Sequence, residues 1–222
     1  TAASSSTALI PHPVVTHTLS AATGNIKFTP VPDQYGTATI TVTVEDAGLD
    51  GDFNKTADNA TFSRTFDVIV SAVNDDPTLD GISNITIDED ASEQTVILTG
   101  IGPGPNESQP FRVTAASSDN IFLIPHPVVT HTLSAATGNI KFTPVPDQNG
   151  TATITVTVED AGPDGDFNKT ADNATFSRTF DVIVSAVNDD PTLDTIANIT
   201  IDEDASEQTV ILTGIGPGPN ES

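Results

Sequence analysis

The sequence predicts an all-β protein made of tandem Greek-key β-sandwich repeats of about 114 residues. Three observations predict this. Short runs alternate strictly between apolar and polar residues, and clusters of Gly, Pro, Asn and Asp separate those runs. The third is a near-exact internal duplication: Leu9–Ser108 and Leu123–Ser222 align at an offset of 114 with four differences, Tyr35/Asn149, Leu49/Pro163, Gly81/Thr195 and Ser83/Ala197. No window holds a sustained 3.6-residue period, so helices are not expected.

Each strand can be justified in chain order within the second copy. "GNIKFTP" pairs Ile140 with Phe142 on one face and sends Lys141 outward. "TATITVTVED" (151–160) puts Ala152, Ile154, Val156 and Val158 on one face and four threonines on the other, as in a half-buried strand. "RTFDVIVSAV" (178–187) keeps Phe180, Val182 and Val184 in phase. "NITIDED" (198–204) places Ile199 and Ile201 together, with Glu203 next in phase. "IGPGPNES" and "PVPDQNG" are turns between such runs. About seven strands per repeat is the rhythm of a sandwich with Greek-key connections.

Copy boundaries divide the chain into three parts. Residues 77–190 form a complete repeat, 1–76 the later part of one lacking its first strands, and 191–222 the first strands of a further one. A sandwich without those strands exposes its core and an unpaired edge. Two arrangements would relieve this: the chain is a window on a longer continuous array, or the tail of one molecule completes the front of the next. Either way Ile199, Ile201, Val210 and Leu212 are expected against Ile40, Val42 and Val44 of a neighbouring unit. Both arrangements run head to tail and build a filament.

Charge narrows the function classes. Thirty-one acidic and seven basic residues give a formal net charge of −24, which repels nucleic acid and anionic membrane surfaces and attracts cations. There is no cysteine, hence no disulfide framework and no thiolate metal site. No run approaches the ~18 apolar residues of a membrane span, so membrane insertion is not expected. Residues 1–10 lack the basic start and apolar core of a signal peptide. Gly-x-Ser-x-Gly, phosphate-cradling and helical two-histidine motifs are all missing, so no catalytic constellation is expected. His126 and His131, like His12 and His17, stand five residues apart in an extended segment and point to opposite faces, which argues against a shared metal.

Acids cluster where strands end: Asp88-Glu89-Asp90, Asp119, Asp147, Glu159-Asp160 and Asn188-Asp189-Asp190. Strand ends lie at the poles of a sandwich, where distant residues converge, and calcium takes six to eight such oxygens. Strand-end Asp and Asn are also ordinary turn formers. "DGDFN" at 164–168, copied at 50–54, has the i, i+2, i+4 oxygens of a calcium loop, but Lys169 replaces the turn glycine and Thr175 stands in for the closing Glu. Asn-x-Ser/Thr glycan acceptors occur at Asn54, Asn59, Asn84, Asn106, Asn149, Asn168, Asn173, Asn198 and Asn220.

The order of motifs in "FTPVPDQNGTATITVTVEDAG…TFSRTFDVIVSAVNDDPTLDTIANITIDEDAS" resembles the cadherin-like, Ig-like repeats of large prokaryotic cell-surface proteins. The resemblance spans the whole period and implies an extracellular, non-enzymatic array with calcium at its linkers. Carried over, the ligands after the middle repeat are Glu89, Asp147, Asn188 and Asp189. Those before it are Asp33, Asn74 and Asp75 from one side, with Asp119 and Asp160 from the other. Ala72 and Ala186 stand where the family's linker opens with Asp, and "PDQNG" lacks the Arg-Glu that follows in the family. The implied function is a stalk, filament or adhesin segment whose partners are neighbouring repeats or copies of itself. Two rivals are a carbohydrate- or receptor-binding module and an accessory region of a larger secreted enzyme. Near-identical loops in the two copies count against the binding module.

Overall fold

The computed structural model describes residues 1–117 and 119–219, and among them every regular element is a β-strand. The predicted all-β class and β-sandwich are borne out. The chain divides into two units. The first comprises Thr1–Asp75, Gly104–Ser108 and Gly162–Asn173, the second Asp76–Pro103, Gln109–Ala161 and Ala174–Ser222.

The first unit contains β1 (Ala2–Ser4), β2 (Val14–His17), β3 (Gly24–Lys27), β4 (Gly36–Glu45) and β5 (Thr61–Val70). They form a three-stranded sheet in the order β1-β4-β5 and a two-stranded ladder, β2-β3. Its buried core is small, consisting of Leu9, Ile10, Ala38 and Ile40, with Ile26, Val42, Val68 and Val70 half-covered around it.

The second unit contains β6 (Ile85–Asp88), β7 (Gln94–Leu98), β8 (Phe111–Ser117), β9 (Val128–Thr130), β10 (Gly138–Phe142), β11 (Gly150–Asp160) and β12 (Thr175–Ser185). One sheet runs β6-β12-β11-β8 and the other β7-β10-β9. The chain crosses between sheets from β6 to β7 and returns at β8, the non-sequential connection of a Greek key. All pairs are antiparallel except β6 on β12, which are parallel from Val182↔Ile85 to Ser185↔Asp88.

The alternation in β11 explains why it is the central strand. Ala152, Ile154, Val156 and Val158 are buried between the sheets, with Phe180, Val182 and Val184 of β12 beside them. From the facing sheet come Leu98, Ile140 and Phe142. The threonine face hydrogen-bonds across the ladder instead, through Thr153 Oγ1 to Asp181 and Thr157 Oγ to Ser177.

One strand expectation needs correction. "NITIDED" at 198–204 is not a strand, although its copy at 84–90 contains β6. Between 191 and 219 the only ladder contact among the described residues is the isolated bridge Thr192↔Gly216. The reason is non-local: β6 exists because β12 lies alongside it, and 199–202 have no strand beside them.

Candidate metal centre

The end of the second unit where β12 runs out collects several of the expected residues. Beyond Asp88 the β6 chain keeps its period-2 phase, so Glu89 points inward with Ile85 and Ile87 and is buried. Its Oε1 accepts the Val187 N–H at 2.7 Å, and its own N–H donates to Ser185 O at 3.1 Å. Glu89 thus fastens the exit of β12 through the backbone.

The next residue faces the other way. Carboxylate oxygens of Asp90, Asp147 and Asp189 all lie within 4.8 Å of one another. Asp90 is exposed, while Asp147 and Asp189 are half-buried. Asp147 occupies the left-handed region at φ 58°, which Asp tolerates better than most residues, and that turn presents its carboxylate to the group. The Asp147 N–H donates to Asp90 Oδ1 at 3.4 Å. Asp189 arrives on the linker that leaves β12. Its neighbour Asn188 donates its side-chain amide to the Asp189 carbonyl at 3.0 Å.

The donor chemistry suits a hard cation. Two oxygens bound to one calcium at roughly 2.3–2.6 Å stand at most about 5 Å apart, and this trio meets that spacing with hard oxygens alone. Backbone carbonyls and water would complete six to eight ligands. Among the described residues, it is the single such group of three.

The other expected ligands are employed elsewhere. Asp119 is exposed, and its Oδ1 accepts the Thr153 N–H at 2.8 Å, a bond that holds its carboxyl below the ordinary range. Asp160 is fully buried, and its Oδ1 accepts the Ala174 N–H at 3.0 Å, closing the β11–β12 hairpin. In the first unit Asp33, also left-handed at φ 58°, and Asp75 line one cleft with Tyr35, Val73 and Glu107. There the Asp75 N–H donates to Glu107 Oε1 at 3.0 Å, and Asn74 is half-buried beside it.

Asp90 and Glu107 were not singled out as ligands by sequence. For Asp90 the signal was available in phase, since an inward Glu89 leaves the following side chain outward at the pole. No sequence signal points to Glu107, whose place beside Asp75 comes from the fold of the 104–108 segment.

The Asp164 loop satisfies its own charges. Lys169 Nζ contacts Asp164 Oδ2 at 3.0 Å and Asp166 Oδ2 at 3.9 Å, and Asn168 donates both its backbone and its side-chain N–H to Asp166. Hydrogen bonds from Asn168 and the nearby lysine lower the Asp166 pKa, and the bond to Asp164 raises that of Lys169. The position that calcium would take in such a loop is served by an ammonium.

The histidines brace backbone. His126 Nδ1 accepts the Ser117 N–H at 3.1 Å, and His131 Nε2 bonds Ala135 O at 2.8 Å. Of the glycan acceptors, Asn54, Asn84, Asn106, Asn149, Asn168 and Asn198 are exposed, whereas Asn59 and Asn173 are half-buried. Asn220 lies outside the described residues. No helix among the described residues is long and apolar enough to cross a membrane.

No family model matches the chain, and no curated protein is similar to it. Among solved structures, domains 4 and 5 of the S-layer protein SbsC align at 15% identity and a TM-score of 0.35, covering 83% of this chain and 75% of that one. Domains 1–6 of SbsC align at 13% identity and a TM-score of 0.33, covering 98% of this chain and 24% of that one. Its 31–844 fragment aligns at 14% identity with the same TM-score, covering 98% of this chain and 29% of that one.

Proposed function

We propose that the chain is a non-enzymatic structural segment of an extracellular stalk, filament or adhesin, in which calcium stiffens the junction that follows each sandwich. The convergence of Asp90, Asp147 and Asp189 where the linker leaves β12 carries this reading. One ion there would tie the turn before β11 and the end of β6 to the first residues of the linker. Three carboxylates so close repel one another, and a divalent cation would relieve that repulsion and fix the direction of the departing chain. Near-exact duplication supports the structural role, because a spacer gains reach with each copy whereas a catalytic site seldom needs a second one beside it.

Differential scanning calorimetry of the full chain, in millimolar calcium and in chelator, tests this. Calcium at about 100 times its dissociation constant adds about 2.7 kcal/mol to the stability of the unit that binds it. Asp90→Asn, Asp147→Asn and Asp189→Asn should each shrink the calcium-induced rise, with Asp164→Asn as the control that leaves it intact. An equal melting temperature in calcium and chelator would overturn the calcium reading.

A further inference from the structure

We propose that Gly162–Asn173, the loop joining β11 to β12, is a built-in clasp: a preformed piece that seats in the first unit and holds it folded without calcium. The clasp goes beyond the calcium reading and does not depend on it.

The loop parts company with its own hairpin. β11 and β12 belong to the second unit, whereas Gly162–Asn173 belongs with Thr1–Asp75 in the first. Gly104–Ser108, between β7 and β8, does the same. There the Asp75 N–H donates to Glu107 Oε1 at 3.0 Å. Gly104, at φ 134°, comes so close that a Cβ on it would stand 3.2 Å from Asp75 Cβ. The chain therefore enters the first unit twice more after Asp75.

Internal bonds let the longer loop act as one solid piece. Lys169 Nζ spans Asp164 and Asp166, and Asn173 Nδ2 reaches back to Phe167 O at 3.4 Å. Gly162 is left-handed at φ 59°, and a Cβ on it would lie 2.7 Å from Asp172 O. The copy at 48–59, which differs only in Leu49 for Pro163, makes the same bonds: Lys55 with Asp50 and Asp52, and Asn59 with Phe53 O. Phe53 is 42% exposed, so the loop takes this shape without cover. A loop already shaped loses little conformational freedom on seating.

Exposure is what differs at the seated loop. Gly162 is buried and Phe167 and Asp172 are half-buried, whereas Gly48 is half-buried and Phe53 and Asp58 are exposed. Phe167 is the single large apolar residue in 162–173, so covering it supplies the hydrophobic part of the seat. The Lys169 bridge pairs two of the loop's three carboxylates beforehand, which spares a chain of net charge −24 the cost of seating them unpaired. In a load-bearing segment such a loop keeps the first unit closed with no ion to lose.

A natural probe tests this. Tyr35 is the only tyrosine of a chain without tryptophan, and it lies in the first unit, so its fluorescence reports that unit alone. Full-chain denaturant unfolding in chelator is followed by Tyr35 fluorescence and by far-UV circular dichroism. Phe167→Asp should move the Tyr35 midpoint to lower denaturant, although the two residues sit in different copies of the repeat. Phe167→Leu should restore most of that shift. A Gly-Ser run of equal length in place of 164–171 should lower the same midpoint. The second unit should keep its own transition, because Phe167 is no part of its core. A Tyr35 midpoint indifferent to both Phe167→Asp and the Gly-Ser exchange would overturn the clasp. So would a loss confined to the second unit's transition, which would make the loop a hairpin closure only, or equal shifts for Phe167→Asp and Phe167→Leu. Chelator is present throughout, so a missing calcium effect on melting leaves these outcomes untouched and the two proposals fail separately.

Discussion

Residues 36–70 and 150–184 carry almost the same sequence and the same ladder register, yet they occupy different environments. Val158 is fully buried and its copy Val44 is 61% exposed; Phe180 is 2% exposed and Phe66 41%. The hairpin is therefore specified locally, by alternation and by its turn, and forms in both places. Its burial is specified by strands from elsewhere: β6, β7 and the Phe111–Val113 end of β8 in the second unit. Fully burying a residue such as Val or Phe contributes about 1.5–3 kcal/mol, so the repeated core positions stabilise the two units very unequally.

The largest effect that would sharpen this contrast is a core truncation made at both copies. Phe180→Ala should cost the second unit about 3–5 kcal/mol, as for other buried phenylalanines. Phe66→Ala should cost the first unit well under half of that, because much of the ring already meets water. Denaturant unfolding of the two variants measures the difference. Equal costs would mean that the first unit is closed in solution and that the contrast fails.

A smaller effect separates Glu89 from its copy Glu203. Glu89→Ala leaves the Val187 N–H without its carboxylate and should cost about 1.5–3 kcal/mol, the range for a bond to a charged group. Glu203 is exposed on a segment without strands, so Glu203→Ala should fall within about 0.5 kcal/mol of the parent. Equal melting temperatures for the two alanine variants would show that the buried bond stabilises nothing.

These pairs also show what sequence could reveal. Strand identity in 151–160 and 178–187 was legible because alternation is a local property, and strands form there as Gly150–Asp160 and Thr175–Ser185. The state of 199–202 was not legible, because its text matches that of β6 and only the presence of a neighbouring strand differs. At the candidate site, the linker motif pointed to Asp189 and the turn motif to Asp147, which do come together. The inward phase of Glu89, and the consequent outward turn of Asp90, needed the ladder's end to be located. Asp160 is acidic for a different reason, as a buried acceptor for a hairpin amide, which composition does not distinguish from a ligand.

The smallest effect uses a place where the two copies solved one problem with different chemistry. The Thr153 N–H donates to Asp119 Oδ1 at 2.8 Å, and its copy, the Thr39 N–H, donates to Ser5 Oγ at 2.9 Å. Only the carboxylate titrates. The Thr153 bond lowers the Asp119 pKa in the folded state, so folding is favoured while the group is ionised. That contribution is fully present above the unfolded value of about 3.9 and is lost as pH falls through the lower folded value. Asp119→Ser makes the second unit like the first and removes the titration. The melting-temperature gap between parent and variant should therefore be constant above about pH 5 and narrow as pH drops below about 4. Calorimetry of both proteins across that range checks it; a gap that stays constant to the lowest pH would show that Asp119 acts only as a neutral acceptor, as Ser5 does.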